Sequence, residues 1–185
     1  MELREELPGD GRAVRDVHLQ AFGEHGVVVA DLADALREGG TAASRLSVVA
    51  EVDGRVVGHV LFSGSLLDAP RRLVEVQVLS PLGVLPEFQR RGVGSALVRH
   101  GLGILAEREV PLVWLEGDPR YYVRFGFAPG GGRSFRRPSL RIPEDAFQVF
   151  TLPKYEPWMT GTLVYPEPFW RHDAVGLRDP DASLS

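Results

Sequence analysis

Hydrophobic and polar positions alternate in two distinct rhythms along the first third of the chain. Residues 13–22 and 28–38 repeat apolar side chains at a spacing close to 3.6 residues, which predicts two amphipathic helices. Residues 46–52 and 55–63 are instead short apolar runs rich in β-branched side chains, which predicts strands. Because Asp53-Gly54, the strongest short hairpin signal in the chain, joins these strands, we expect them to be antiparallel neighbours.

A proline interrupts the strand that follows. Residues 73–79 continue the apolar pattern and residues 82–85 resume it, but Pro81 between them has no N–H group for the sheet ladder. We therefore expect a bulge or splay at this point of the sheet. Downstream, helical spacing covers residues 95–108, and a buried strand covers residues 110–115.

The last third of the chain has a looser pattern. It predicts only two more strands, over residues 147–152 and 161–165. At 185 residues and 44% hydrophobic composition, the chain is long enough for one domain with a full core. We accordingly expect a single domain over residues 1–165, followed by a loosely ordered tail over residues 166–185.

The most informative segment lies between the interrupted strand and the next helix, where residues 89–95 read QRRGVGS. A loop that enters a helix in this way directs backbone N–H groups and the positive end of the helix dipole at one point, which favours phosphate. The two glycines allow positive φ and close approach, and the two arginines add charge suited to phosphate oxygens. The residues expected to contact the phosphates are Gln89, Arg90, Arg91, Gly92, Val93, Gly94 and Ser95.

Two common phosphate-binding motifs are excluded. A Walker loop needs a lysine after its glycines, and Lys154, the only lysine in the chain, follows no such pattern. The spacing of Gly101, Gly103 and Ala106 imitates a dinucleotide fingerprint, but these residues fall in the middle of the predicted helix rather than after a strand. The loop therefore belongs to another class of phosphate site.

Two motifs together resemble one known family. The pattern Gln-x-x-Gly-x-Gly after a strand resembles the acetyl-CoA loop of the GCN5-related N-acetyltransferases, the GNAT superfamily. Residues 115–127, with the sequence LEGDPRYYVRFGF, resemble that superfamily's second motif, a strand end followed by a short helix carrying Tyr-x-x-x-Gly-Phe. The amino-acid sequence of this motif is similar to that of a bacterial subgroup of predicted acetyltransferases. The resemblance implies an α/β (α+β) GNAT fold, with a mixed sheet of about six to seven strands, splayed in the middle and flanked by about four helices.

The same resemblance implies an activity and a cofactor. It points to an acetyl-CoA-dependent N-acetyltransferase that moves the acetyl group directly to a primary amine of a small molecule or protein. The pantetheine arm of acetyl-CoA would insert at the splay and pair like an extra strand along Leu82, Gly83 and Val84. A backbone N–H near Val84 would then polarise the thioester carbonyl. A non-catalytic acyl-CoA-binding or interaction module of the same fold is the alternative.

Catalytic groups are also implied by the resemblance. Tyr122 stands where the superfamily commonly places a tyrosine, five residues before Phe127, and a phenol can hydrogen-bond a sulfur that is becoming anionic. We therefore expect Tyr122 to be the general acid, whereas aromatic packing explains Tyr121. Glu75 on the central strand and Glu116 at the end of the next strand are candidates for the general base. Deprotonation through water needs neither of them.

Two further polar residues have a structural interpretation. Asp118 directly precedes Pro119 and is a natural N-cap for the short helix of the second motif. His59 lies on a central strand and titrates near neutrality, but a lone histidine on a strand is more often structural than catalytic. We therefore favour capping for Asp118 and hydrogen bonding for His59.

The composition excludes several other classes of protein. No cysteine is present, so disulfides, thiolate metal sites and a cysteine nucleophile are ruled out, and the five histidines have no metal-ligand spacing, which predicts no metal. A net charge of -4 gives little support for a nucleic-acid partner. No apolar stretch reaches the roughly 20 residues that span a bilayer, and the N-terminus is polar and acidic. We therefore expect a cytoplasmic monomer or homodimer with no membrane partner.

Overall fold

The computed structural model describes residues 1–39 and 44–178. The strands in this part of the chain are β1 (Glu2–Glu5), β2 (Arg45–Val52), β3 (Arg55–Asp68), β4 (Leu73–Val84), β5 (Leu112–Glu116), β6 (Ala128–Pro129), β7 (Phe135–Arg136), β8 (Phe147–Thr151) and β9 (Gly161–Val164). The helices are α1 (Gly11–Ala21), α2 (Gly26–Glu38), α3 (Val93–Glu107), α4 (Pro119–Tyr122) and α5 (Glu167–Arg171). The expected α/β fold with a mixed sheet is confirmed.

The strands form one sheet in the order β1-β2-β3-β4-β5-β8-β6, and β9 pairs with both β3 and β7. The first four strands are an antiparallel meander, as the hairpin signal predicts for β2 and β3. Asp53 and Gly54 both have positive φ, at 50° and 76°, which suits the tight hairpin turn. Three strands went unpredicted: β1, which is mostly charged, and β6 and β7, which have two residues each. Their sequences are too short or too polar to show a strand period.

The sheet opens in its centre, at the predicted break. β4 runs parallel to β5 only at Gln77 and Val78, which face Val113 and Trp114. Beyond that point β4 continues beside β3 as far as Val84, with a register irregularity opposite the Ser80–Pro81 segment. The last part of β4 therefore has no neighbour on its β5 side among the described residues, and its backbone groups on that side are available to a ligand.

Helices cover both faces of the sheet. A Cβ atom added at Gly58 of β3 would lie 3.0 Å from Leu97 of α3, so the even-numbered side chains of this part of β3 face α3. The neighbouring Leu61 packs instead with Leu32 and Leu36 of α2. α1 lies beside α2 and reaches β4, where a Cβ atom at Gly83 would lie 3.3 Å from Val17. A ligand in the plane of the opened sheet would therefore have α3 on one side and α1 on the other.

We expect α3 to be sensitive to a single methyl group at Gly101. A Cβ atom there would overlap the buried ring of Phe62, whereas a Cβ atom at Gly103, on the same helix, would meet nothing within 4 Å. Gly101→Ala is therefore expected to lower the free energy of unfolding by about 1–3 kcal/mol through overpacking. Gly103→Ala, the matched control, should raise it by up to about 1 kcal/mol through helix propensity. Urea unfolding measures both, and equal effects of the two changes would contradict this packing.

The segment after β9 packs onto the sheet as far as residue 178. Phe169 of α5 is 2% exposed and Val175 is 1% exposed. Glu116 at the end of β5 accepts hydrogen bonds from the Tyr165 hydroxyl at 2.9 Å and from the Gly176 N–H at 3.0 Å. Residues 166–178 thus differ from the expected loose tail, because two buried apolar side chains and the partly buried carboxylate of Glu116 anchor them. Residues 179–185 of that expected tail lie outside the described residues.

Candidate active site

The loop between β4 and α3 has the backbone of an anion site. Arg90 and Gly92 both adopt positive φ, at 59° and 85°, and Gly92 is the N-cap of α3. The Ala96 N–H donates to the Gly92 carbonyl at 2.9 Å, which makes it the first backbone bond of the helix. The N–H groups of the three preceding residues have no helical acceptor and point outward from the helix end. Left-handed residues within such a loop turn successive N–H groups toward a common point.

Side chains of this loop have different surroundings. The Gln89 amide nitrogen donates to the Val84 carbonyl at 3.0 Å and so ties the loop to the end of β4. Val93 is buried against the sheet, so only its backbone can face a ligand. Arg90 and Arg91 are exposed, and the Arg91 guanidinium lies 5.7 Å from the centre of the Phe88 ring. The two arginines are thus placed at the rim, where they can meet phosphate oxygens.

A cavity of about 250 Å³ connects this loop to the open side of β4. It brings together six of the residues predicted to bind the cofactor, three on β4 and three on the loop and first turn. Ala21 and Phe22 at the end of α1 and Tyr121 on α4 complete it. The lining residues are Ala21, Phe22, Leu82, Gly83, Val84, Gln89, Arg90, Gly94 and Tyr121.

The two adjacent tyrosines of α4 occupy different places. The Tyr121 hydroxyl would lie 3.0 Å from a Cβ atom added at Gly94, so this side chain lies across the cavity. Tyr122 does not line that cavity; it is half-buried above Gly117, where a Cβ atom would lie 2.6 Å from its ring. Its ring meets that of Phe127 edge to face, with centres 5.7 Å apart. Burial raises the pKa of Tyr122 above that of a free phenol, so it stays protonated at neutral pH.

The structure separates the candidate bases from the cavity. Glu75 is exposed near the start of β4, about seven residues or roughly 23 Å of strand from Leu82. It lines another cavity, of about 360 Å³, at the far end of α3. Glu116 holds the C-terminal segment through Tyr165, and burial raises the pKa of its carboxyl group. Neither glutamate is brought together with the loop that enters α3.

Asp118 and His59 take the structural positions expected of them. Asp118 is the N-cap of α4, and its carboxylate accepts a hydrogen bond from the Arg120 N–H at 2.9 Å. His59 is fully buried, and its Nδ1 lies 2.7 Å from Nε2 of His18. His18 was missed because no ligand spacing involves it. The available signal was a histidine on the apolar face of α1, one residue after the buried Val17.

Two further properties of the described residues concern membranes and metals. Within residues 1–39 and 44–178, no helix combines the length and the hydropathy needed to cross a membrane. In the same ranges, no three histidine, aspartate or glutamate side chains are grouped as a metal site would require.

Comparisons with known proteins agree with this geometry. The sequence model of the acetyltransferase (GNAT) family matches residues 14–127. The uncharacterised N-acetyltransferase YjhQ of Escherichia coli (strain K12) is 35% identical over 136 residues, which are 74% of each protein. The GNAT family N-acetyltransferase YhbS of Escherichia coli, crystallised in complex with CoA, is 31% identical, with a TM-score of 0.81 over 92% of both chains. A GNAT family acetyltransferase of Brucella melitensis, crystallised in complex with acetyl-CoA, is 32% identical, with a TM-score of 0.70 over 91% of this chain and 97% of that one.

Proposed function

The chain belongs to the GNAT family of acetyltransferases, and from that premise we propose that it transfers an acetyl group from acetyl-CoA directly to a primary amine. The observation that carries this proposal is the parting of β4 from β5 beside the loop at the start of α3. The two features form one continuous cavity, which suits a ligand with an anionic end and an extended arm. CoA and acetyl-CoA in the two similar structures are ligands of that shape.

Acetyl-CoA would bind in two parts. Its pyrophosphate would accept hydrogen bonds from the free N–H groups at the start of α3, with Arg90 and Arg91 adding charge. Its pantetheine arm would lie in the sheet plane beside Leu82, Gly83 and Val84, where β4 has no strand neighbour on its β5 side among the described residues. Tyr121 would contact this arm, since its hydroxyl lies across the same cavity.

The chemistry follows from this placement. As the amine nitrogen bonds to the acetyl carbon, the carbonyl oxygen gains negative charge, which a backbone N–H near Val84 would stabilise. The carbon–sulfur bond then breaks and the sulfur requires a proton. Tyr122 is the proposed donor, because its neutral phenol lies at the β5 side of the opening in the sheet. The amine nitrogen loses a proton as the amide forms, a proton from solvent restores the Tyr122 phenol, and CoA leaves as a thiol.

Thiol release from acetyl-CoA tests the proposal. The purified protein would be mixed with acetyl-CoA and a panel of primary amines: a polyamine, an aminoglycoside, amino acids, and peptides with a free N-terminus or a lysine. Release that depends on one class of amine, with the acetylated product seen by mass spectrometry, is the expected result. Tight binding of CoA with no amine-dependent release would favour the non-catalytic module instead.

Gly92→Ala is expected to weaken acetyl-CoA binding, because alanine resists the left-handed conformation that Gly92 adopts at φ 85°. The loop would relax in the free protein and would have to be restored on binding, at a cost of about 1–2 kcal/mol, or roughly a tenfold higher KM. Gly54→Ala is the matched control, with φ 76° and no atom near its Cβ position, in the β2–β3 turn. It should cost similar stability with no change in KM for acetyl-CoA. An unchanged KM in Gly92→Ala would count against the loop as the phosphate site.

A further inference from the structure

A line of polar groups runs from two buried histidines beneath the proposed acetyl site to two partly exposed residues at the surface. Nε2 of His18 lies 2.7 Å from Nδ1 of His59, and Nε2 of His59 lies 2.8 Å from the Ser47 hydroxyl. The Ser47 hydroxyl in turn donates a hydrogen bond to the Glu6 carboxylate. Both histidines are 0% exposed. The four side chains come from α1, β3, β2 and the residue after β1, so distant parts of the chain build the line.

The outer end sets the direction of every hydrogen bond. Both oxygens of Glu6 accept hydrogen bonds, from the Arg37 guanidinium and from the Ser47 hydroxyl. Because the Ser47 hydroxyl donates to Glu6, its oxygen accepts from the Nε2–H of His59. Nδ1 of His59 consequently accepts from the Nε2–H of His18. This leaves Nδ1 of His18 as a bare lone pair, and no hydrogen-bond partner for that atom is found among the described residues.

The inner end of the line stops at Gly83, a residue that lines the cofactor cavity. A Cβ atom at Gly83 would lie 2.7 Å from Nδ1 of His18, so only the absence of a side chain allows this approach. The outer end opens at a surface cavity of about 390 Å³ whose lining includes Glu6, Arg37 and Ser47. The line therefore connects the α1 side of the opened sheet with solvent at this second cavity.

We propose that His18, His59, Ser47 and Glu6 form a proton relay that removes a proton from the acceptor amine as it attacks the thioester. The relay rests on the proposed function, since it serves that reaction. An acceptor ammonium must lose two protons to become an amide. One proton ends on the CoA sulfur. The other enters at Nδ1 of His18. The Nε2 proton of His18 then moves to Nδ1 of His59, the Nε2 proton of His59 moves to the Ser47 oxygen, the Ser47 hydroxyl proton moves to Glu6, and Glu6 passes a proton to solvent.

Surrounding charges support a concerted transfer, with no long-lived imidazolium. Arg37 is the cation that faces the line from α2, and Asp34 binds the same guanidinium at 3.0 Å. Burial, with a smaller contribution from Arg37, lowers the pKa of His18 to about 4. Burial also holds the pKa of His59 well below its usual range, with His18 and Arg37 adding to the effect. Both rings thus rest neutral at pH 7, each ready to accept a proton at one nitrogen and release one from the other.

Nuclear magnetic resonance of 15N-labelled histidine tests the resting state without any acceptor. At pH 7 we expect both buried histidines to be neutral and protonated at Nε2, and acetyl-CoA to shift the Nδ1 signal of His18. A proton on Nδ1 of His18 would overturn the relay. If acetyl-CoA fails to bind at all, the proposed function fails, while the tautomers are still read from the free protein, so the two failures are distinguishable.

Kinetics with Ser47→Ala, which breaks the line, and Ser47→Thr, which keeps a hydroxyl, test the transfer itself. With acetyl-CoA and the amine that releases thiol fastest in the panel, Ser47→Ala should lower kcat by about 100-fold near neutral pH. The loss should shrink as the pH approaches the pKa of the amine, about 10.4 for a lysine-like amine, because the substrate then arrives already neutral. Ser47→Thr should restore most of the rate. A loss that is equal at every pH, or no loss, would falsify the relay.

Discussion

Tyr122→Phe is expected to lower kcat for amine acetylation by about 100-fold while leaving the KM for acetyl-CoA nearly unchanged. Phenylalanine keeps the ring that packs on Gly117 and Phe127, so the local structure should survive. What is lost is the hydroxyl that would protonate the departing sulfur. The thiolate must then leave unprotonated, which raises the barrier of the chemical step alone. Steady-state kinetics with varied acetyl-CoA separates kcat from KM.

Tyr121→Phe is the matched control for this change. Tyr121 lies across the cofactor cavity next to Gly94, so its hydroxyl would contact bound pantetheine and contribute to binding. Removing the hydroxyl should raise the KM for acetyl-CoA a few-fold, because one hydrogen bond to the cofactor is lost. The value of kcat should stay within about threefold of that of the parent protein. If Tyr121→Phe lowers kcat strongly while Tyr122→Phe does not, the two tyrosines have exchanged roles and Tyr121 is the acid.

Acid is expected to destabilise the protein steeply, because two neutral histidines are buried without charge compensation. The unfolded chain protonates His18 near pH 6.5, whereas the folded protein does so only near pH 4. Between these values the unfolded state binds more protons, so the free energy of unfolding falls as the pH falls. His18 alone accounts for a loss of about 3 kcal/mol by pH 4, with the full stability present above pH 6.5. Urea unfolding at a series of pH values measures the loss.

Variants identify the source of this pH dependence. His18→Gln removes the titrating group, so its unfolding free energy should fall less steeply between pH 6.5 and pH 4 than that of the parent protein. His25 is exposed at the junction of α1 and α2, and His25→Gln should preserve the full pH dependence. A parent protein whose unfolding free energy is flat over this range would contradict the lowered pKa of His18, because the folded and unfolded states would then bind protons equally.

Local signals predicted the parts of the fold that local chemistry decides. The Asp53-Gly54 turn, the break at Pro81 and the glycines of the loop before α3 depend on the backbone freedom of one or two residues. Contacts between distant residues have no such signal. The approach of His18 to His59 depends on the packing of α1 against β3, and the pairing of β9 with β3 joins residues nearly a hundred positions apart.

The positions of Tyr121 and Tyr122 also could not be predicted from local sequence signals, although the two residues are adjacent. Neighbouring residues on a helix point about 100° apart, so Tyr121 faces the cavity while Tyr122 faces the sheet. Which one does so depends on where α4 begins, and Asp118 with Pro119 sets that start. The motif identified the pair, but the orientation of each ring required the position of α4 above Gly117.

The pairing of Leu66–Asp68 with β9 has a consequence for synthesis on the ribosome. The β1–β4 meander can form soon after it emerges, because its strands are close in sequence. The late half of β3 nevertheless keeps one edge uncovered until residue 164 has left the exit tunnel. At about 5–20 residues per second, that edge waits several seconds for its partner. A nascent chain halted before β9 would therefore present an open strand to chaperones, although the loop between β4 and α3 was already complete.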